Sequence, residues 1–287
     1  VFRRIPELNV LQSGGPGRLT TVFLRGGAPK HTLVLVDGIK ANNPATGEYD
    51  FSAISLEDIE RIEIVKGSQS TSYGSEAMAG VINIITRKGK SGLNFGASFE
   101  GGSFGTYKPS VEVSGGWKKL DYRLTASYLK TDGISAAKSG DEADGFEDMS
   151  FSGKIGIKPN EISNIEVAGG YSESTSGLDG FDMMTYEAAD DLNYEENAKR
   201  YRVSAKGSIY LRDKWEQILT YSIQRDSIKG EDPDTLFNNY EIETGKDVID
   251  WQHNVYEDHN TLTFGAEYTK GTVNNTDTTT GAVVFDD

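Results

Sequence analysis

From Leu93 onward the chain alternates apolar and polar residues with a period of two through most of its remaining length. Leu93, Phe95, Ala97 and Phe99 take turns with Asn94, Gly96, Ser98 and Glu100, and Val111, Val113 and Trp117 with Ser110, Glu112 and Ser114. The same holds for Tyr122, Leu124, Ala126 and Tyr128, for Val203, Ala205, Ile209 and Leu211, for Leu219, Tyr221 and Ile223, and for Leu262, Phe264, Ala266 and Tyr268. A period of two places the sets on opposite faces of an extended strand. About nine such strands can be counted, several reaching the roughly 9 to 11 residues that cross a bilayer at a tilt. Both a soluble β-sandwich and a transmembrane β-barrel have strands of this kind. The face opposite the aliphatic and aromatic one carries Arg123, Arg202, Lys206 and Glu267, charges that a sandwich core cannot hold unpaired and a wet barrel lumen can. Short joints such as Lys118-Lys119-Leu120-Asp121 and Lys158-Pro159-Asn160-Glu161 alternate with long polar connections, an asymmetry that favours an outer-membrane barrel.

Composition agrees with this reading. Only 36% of the residues are hydrophobic, and no run approaches the roughly 18 apolar residues of a spanning helix. Barrel strands show only alternate residues to lipid, so low hydropathy does not argue for solubility. The 33 glycines, 14 tyrosines and 12 phenylalanines suit sharply bent strands with aromatic girdles. There is no cysteine, hence no disulfide framework, thiolate nucleophile or thiolate metal site. A formal net charge of −15 argues against nucleic acid as a partner, because phosphate binding needs a basic face, and fits cations better. The only histidines are His31, His253 and His259, there is no Gly-x-Ser-x-Gly elbow, and Gly89-Lys90-Ser91 has Ile84 where a phosphate loop needs its first glycine. No catalytic constellation emerges, so the chain is not expected to be an enzyme.

Residues 1 to 90 differ from residues 91 to 287. They hold short continuous apolar runs, Thr32-Leu33-Val34-Leu35-Val36 and Val81-Ile82-Asn83-Ile84-Ile85, which suit strands buried on both faces of a small mixed α+β domain. Ser55 to Ile59, with Ser55 as cap and Glu57 and Asp58 in the first turn, is expected to be helical. The segment also carries, in order, Arg3-Arg4-Ile5-Pro6, Phe23-Leu24-Arg25-Gly26-Gly27, Leu33-Val34-Leu35-Val36-Asp37-Gly38, Ile59-Glu60-Arg61-Ile62-Glu63-Ile64-Val65-Lys66-Gly67 and the stretch from Ser72-Tyr73-Gly74 to Ile84-Ile85-Thr86. In these motifs it resembles the plug of the TonB-dependent outer-membrane receptors. The resemblance implies a 22-stranded antiparallel transmembrane β-barrel with an N-terminal plug inside, both only partly present in this chain. It also implies a location in the bacterial outer membrane. About nine strands cannot close such a wall without an unpaired edge in lipid, so further strands are expected beyond Asp287.

The resemblance further implies import of a scarce, large nutrient, driven by the periplasmic TonB protein and the inner-membrane proton gradient. A plugged surface receptor or adhesion protein without energised transport is the alternative. Arg25 and Lys66 would lock the plug to wall glutamates, Lys66 standing where arginine is frequent. The loop from Gln12 to Thr21 is similar to that of the cobalamin (vitamin B12) receptors of the family, and carries over Leu19, Thr21, Ala28, Thr46 and Gly47 as substrate contacts. Ala28 replaces the asparagine of those receptors, and Asn42 to Tyr49 is not closely similar, so a ferric siderophore or heme competes with cobalamin. Two long connections hold Glu142 and Asp144, then Asp179, Asp190 and Asp191, which the resemblance makes candidate Ca2+ ligands. A solvated acidic face is the other reading of these runs.

Overall fold

The computed structural model describes residues 2–135, 143–182, 187–189, 191, 193–235 and 238–286. The leading part builds two small sheets. Strands β1 (Leu8–Gln12) and β2 (Thr20–Leu24) form an antiparallel pair. Strands β3 (Thr32–Val36), β4 (Ile39–Lys40), β5 (Ile59–Lys66) and β6 (Gly80–Thr86) form a mixed sheet in the order β4-β3-β6-β5, with β3 and β6 parallel. The apolar runs form its centre and are covered on both faces. Val34, Ile82 and Ile84 join Leu8, Val22, Leu24, Ala41 and Tyr49 in one core, while Leu33, Leu35 and Val81 pack with Ala77 in another. At Gly80 (φ 154°) an added Cβ would lie 2.3 Å from the Val65 carbonyl oxygen, so only glycine lets β2, β5 and β6 meet there.

The loop after β4 is held by one side chain. Asn42, fully buried, accepts a hydrogen bond from the Val34 amide (2.8 Å) and donates to the carbonyls of Thr32 (3.0 Å) and Gly47 (2.8 Å). The helix expected over Ser55 to Ile59 is a single 3-10 turn, Leu56–Asp58. The Ser55 hydroxyl bonds the Glu57 carboxylate instead of capping the turn, and β5 begins at once at Ile59, so the first helical turn is never propagated. A one-turn helix, α1 (Ser70–Tyr73), precedes β6.

The remaining chain is a ten-stranded antiparallel sheet. Its members are β7 (Gly92–Gly101), β8 (Tyr107–Trp117), β9 (Leu120–Thr131), β10 (Phe146–Asn160), β11 (Ser163–Gly177), β14 (Glu195–Leu211), β15 (Trp215–Glu231), β16 (Tyr240–Glu257), β17 (Asn260–Asp277) and the short β18 (Ala282–Asp286). Each pairs with its neighbour in sequence; a small hairpin, β12 (Gly180–Asp182) with β13 (Glu187–Ala189), is inserted between β11 and β14. The joins at 118–119, 161–162, 212–214 and 258–259 are tight, and those at 132–145, 178–194 and 232–239 are long.

Burial in this sheet is inverted relative to a water-soluble one. Phe95 is 77% exposed, Leu219 54% and Phe264 50%, whereas Arg123, Lys154, Ser222 and Lys246 on the opposite face are each 6% exposed or less. A soluble sheet buries its aliphatic face, so this is a wall with lipid on one side and a polar filling on the other. The filling is the leading domain, the plug.

Candidate functional site

The plug touches the inner face of nearly every long strand of the wall through charge. Glu57 receives Lys108 of β8 at 2.7 Å, and its carbonyl receives Arg123 of β9 at 3.0 Å. Burial pushes the Glu57 carboxyl up, but the hydrogen bonds from Lys108 and Ser55 outweigh it and hold the group below the usual range. Asp50 lies 3.5 Å from Arg200 of β14, Lys40 lies 2.7 Å from Glu267 of β17, and Lys246 of β16 donates to the Asn42 carbonyl at 3.2 Å. Partners spread from β8 to β17 require the sheet to curve round the plug.

On the side of the long connections the plug's loop 13–19 tucks under the wall. Gly17 (φ 78°) lies flat against the Phe146 ring, where a Cβ would come within 2.0 Å of a ring carbon. Below it a cavity of about 430 Å3 separates plug from wall. Leu19, Thr46 and Tyr49 line it from the plug, and Ser152, Ser172 and Arg202 from the wall. The Arg202 guanidinium sits 5.9 Å over the Tyr49 ring. Burial pushes the Tyr49 phenol up, with Arg202 pulling it back, so Tyr49 remains neutral through the physiological range. The unbonded Nε of Arg202 and Oγ1 of Thr125 both edge this space, which marks it as wet. Of the five residues expected to meet substrate, Leu19 and Thr46 therefore share one cavity. Thr21 is buried in β2, and Ala28 and Gly47 are half-buried nearby in the chain but do not line the cavity.

Comparison with known proteins fixes the family. Residues 1–81 match the TonB-dependent receptor plug domain. Over 288 aligned residues the chain is 31% identical to the vitamin B12 transporter BtuB of Photobacterium profundum, covering 97% of this chain and 45% of that protein. The chain belongs to the TonB-dependent receptors. Two solved members share its fold. The ferric yersiniabactin uptake receptor FyuA from Yersinia pestis matches with a TM-score of 0.71 at 19% identity, over 95% of this chain and 46% of the other. The ferric citrate transporter FecA, in its unliganded form, matches with a TM-score of 0.71 at 14% identity, over 100% of this chain and 47% of the other. The chain thus spans about half the length of these TonB-dependent receptors.

The expected lock residues of the receptor plug converge on one plug carboxylate. Arg25, in left-handed backbone (φ 52°), brings Nε to 3.9 Å from Glu7 Oε2, and Lys66 Nζ lies 3.6 Å from the same atom and donates to the Pro6 carbonyl at 2.9 Å. Of the candidate Ca2+ ligands, Glu142 and Asp190 lie outside the described residues. Asp144 and Asp179 are on separate connections, and Asp191 accepts from the Asn193 amide at 3.2 Å. Burial pushes Asp191 up, and Asp232 and Asp234 push it further. No three carboxylates or imidazoles gather at metal-ligand spacing among the described residues.

Sequence reasoning missed the plug-to-wall ion pair with the most buried side chains among the described residues, in which Lys154 of β10 reaches Asp37 of the plug at 2.9 Å. The phase of the alternation carried the signal, since it turns Lys154 inward while Asp37 closes the turn after an apolar strand.

Proposed function

We propose that this chain is the plug and the first part of the wall of an outer-membrane importer that takes up cobalamin, or a ferric chelate of similar size, with energy delivered by TonB from the periplasm. The observation that carries the reading is the plug seated against the polar inner face of the wall by ion pairs from β8 to β17. A filled lumen gives a large solute no path by diffusion, so passage requires the plug to move and something to move it. Substrate held by the outer plug loops and the long connections shifts the plug's ensemble, and the partner on the other side draws on the same equilibrium; reciprocity makes each alter the other's affinity equally. Cobalamin stands first because the 31% identity is to a vitamin B12 transporter. We also propose that Ca2+ orders the long connections before substrate arrives, which would lower the ordering cost of binding. No transport step depends on it.

The test is uptake by the full-length receptor in a bacterial strain lacking its own, with labelled cobalamin and labelled ferric siderophore, with and without TonB and with and without millimolar calcium. TonB-dependent accumulation of cobalamin, strengthened by calcium, is expected. Accumulation of the siderophore alone reassigns the substrate. Surface binding that never becomes uptake replaces the importer with a plugged surface receptor, and indifference to calcium removes the ion.

A further inference from the structure

One buried cluster joins plug to wall and belongs neither to the outer loops nor to the expected lock. Asp37 turns the chain between β3 and β4 in left-handed backbone (φ 54°). Its carboxylate accepts from the Thr86 amide (2.9 Å) and the Thr86 hydroxyl (2.6 Å), which ties that turn to the last residue of β6. Lys154 enters from the wall. Its ammonium lies 2.9 Å from Asp37 Oδ1, 3.1 Å from Glu166 Oε1 on β11 and 3.2 Å from Thr86 Oγ1. The Lys154, Asp37 and Glu166 side chains are only 5%, 9% and 11% exposed. Lys88, in the connector that leaves the plug for β7, pairs with the other oxygen of Glu166. Lys206 stands opposite Glu166 across the β11–β14 ladder, and Asp121 faces Lys88.

The geometry concentrates three plug positions, Asp37, Thr86 and Lys88, on two adjacent wall strands around a single ammonium. An ammonium has three protons, and three oxygens stand within hydrogen-bond reach of this one. Other plug-to-wall ion pairs are more exposed, as at Lys40 with Glu267, where the side chains are 21% and 31% exposed. Water competes more freely for those contacts than for this one, whose side chains are nearly covered although Asp37, Thr86 and Lys154 border the cavity between plug and wall. The cluster also sits beside the connector, so the plug is tied to the wall here both covalently and by charge.

We propose that Lys154 is the positioning residue that pins the plug to the wall, setting how often the plug leaves its seat. The inference rests on reading the chain as a plug within a wall that must let it move, but its test needs neither substrate nor partner. Residues 1–287 contain no cysteine, so one introduced thiol in this part reports alone. Ser222 faces inward and is 5% exposed, so a thiol at S222C reacts when the plug is away. In the full-length receptor in lipid vesicles, the labelling rate of that thiol follows the population of the displaced state when reseating is fast.

Lys154→Met leaves the buried Asp37 carboxylate without its counter-charge, while Glu166 keeps Lys88, and is expected to raise the rate at least about 100-fold, the lower end of what breaking a buried pair costs. Lys154→Arg keeps the charge and is expected to restore a rate near the parent's. The wall should stay folded in both, judged by heat-dependent gel mobility. Should Lys154→Met fail to assemble, Asp37→Asn removes the plug's charge alone and is expected to raise labelling about tenfold, the worth of one charged hydrogen bond. Rates within about twofold of the parent in every variant that assembles would overturn the anchor while leaving import untouched. A raised rate without any uptake would do the reverse.

Discussion

Replacing Asn42 by alanine is expected to destabilise the plug by about 3 kcal/mol or more, since it leaves two buried backbone groups and one half-buried one without this partner, at roughly 1 to 3 kcal/mol for each buried group. The Val34 amide and the Thr32 and Gly47 carbonyls all depend on this side chain, and it is fully buried. Aspartate is nearly isosteric but has no protons to donate, so it would set a carboxylate against two carbonyl oxygens and is expected to be no better than alanine. Asn43 provides the contrast. Its side chain accepts from the Ala45 amide at 2.8 Å and donates to the Thr244 hydroxyl at 3.2 Å, in a half-exposed place, and alanine there should cost about 1 kcal/mol. Urea unfolding of the full-length receptor, followed by a probe on the plug, measures both. Equal losses at the two positions would mean that Asn42 does not organise the loop.

Val203→Arg is expected to cost the wall about 2 to 4 kcal/mol, the penalty for a cation facing lipid near the middle of a strand. Val203 lies midway along β14, is 46% exposed and stands between Gly169 and Ile223 on its neighbours. In a sheet whose exposed face met water the same change would fall within about 0.5 kcal/mol of neutral. Lys206, three residues further along, is tolerated because the alternation turns it to the inner face. The loss should appear as a shifted folding equilibrium in lipid vesicles, and a neutral outcome would place β14 away from lipid.

The wall was legible because its signal is local. Phase alone separates Val203 from Arg202, and inward charges such as Glu267 already require something polar inside. The plug's central sheet was equally plain in two uninterrupted apolar runs. What could not be read is what depends on partners far apart in sequence. Nothing near Lys154 names Asp37 as its counterpart, and nothing near Arg25 or Lys66 names Glu7. The helix expected after Ser55 failed for a local reason that propensity overlooks, a hydroxyl engaged by Glu57 and a strand that begins before a second turn can form. The residues expected to meet substrate do not gather at one place. Leu19 and Thr46 line one cavity, while Thr21 is buried in β2, which pairs with β1.

A nitroxide placed in turn at residues 246 to 251 of the full-length receptor in a lipid bilayer decides whether this sheet is a membrane wall around a plug. Positions 247, 249 and 251 should collide readily with dissolved oxygen, which concentrates in lipid, and positions 246, 248 and 250 should be immobilised and shielded, because Lys246 and Val248 are buried against the plug side while Ile249 and Trp251 face outward. Equal access along all six positions, or access to a water-borne relaxant at 249 and 251, would contradict it.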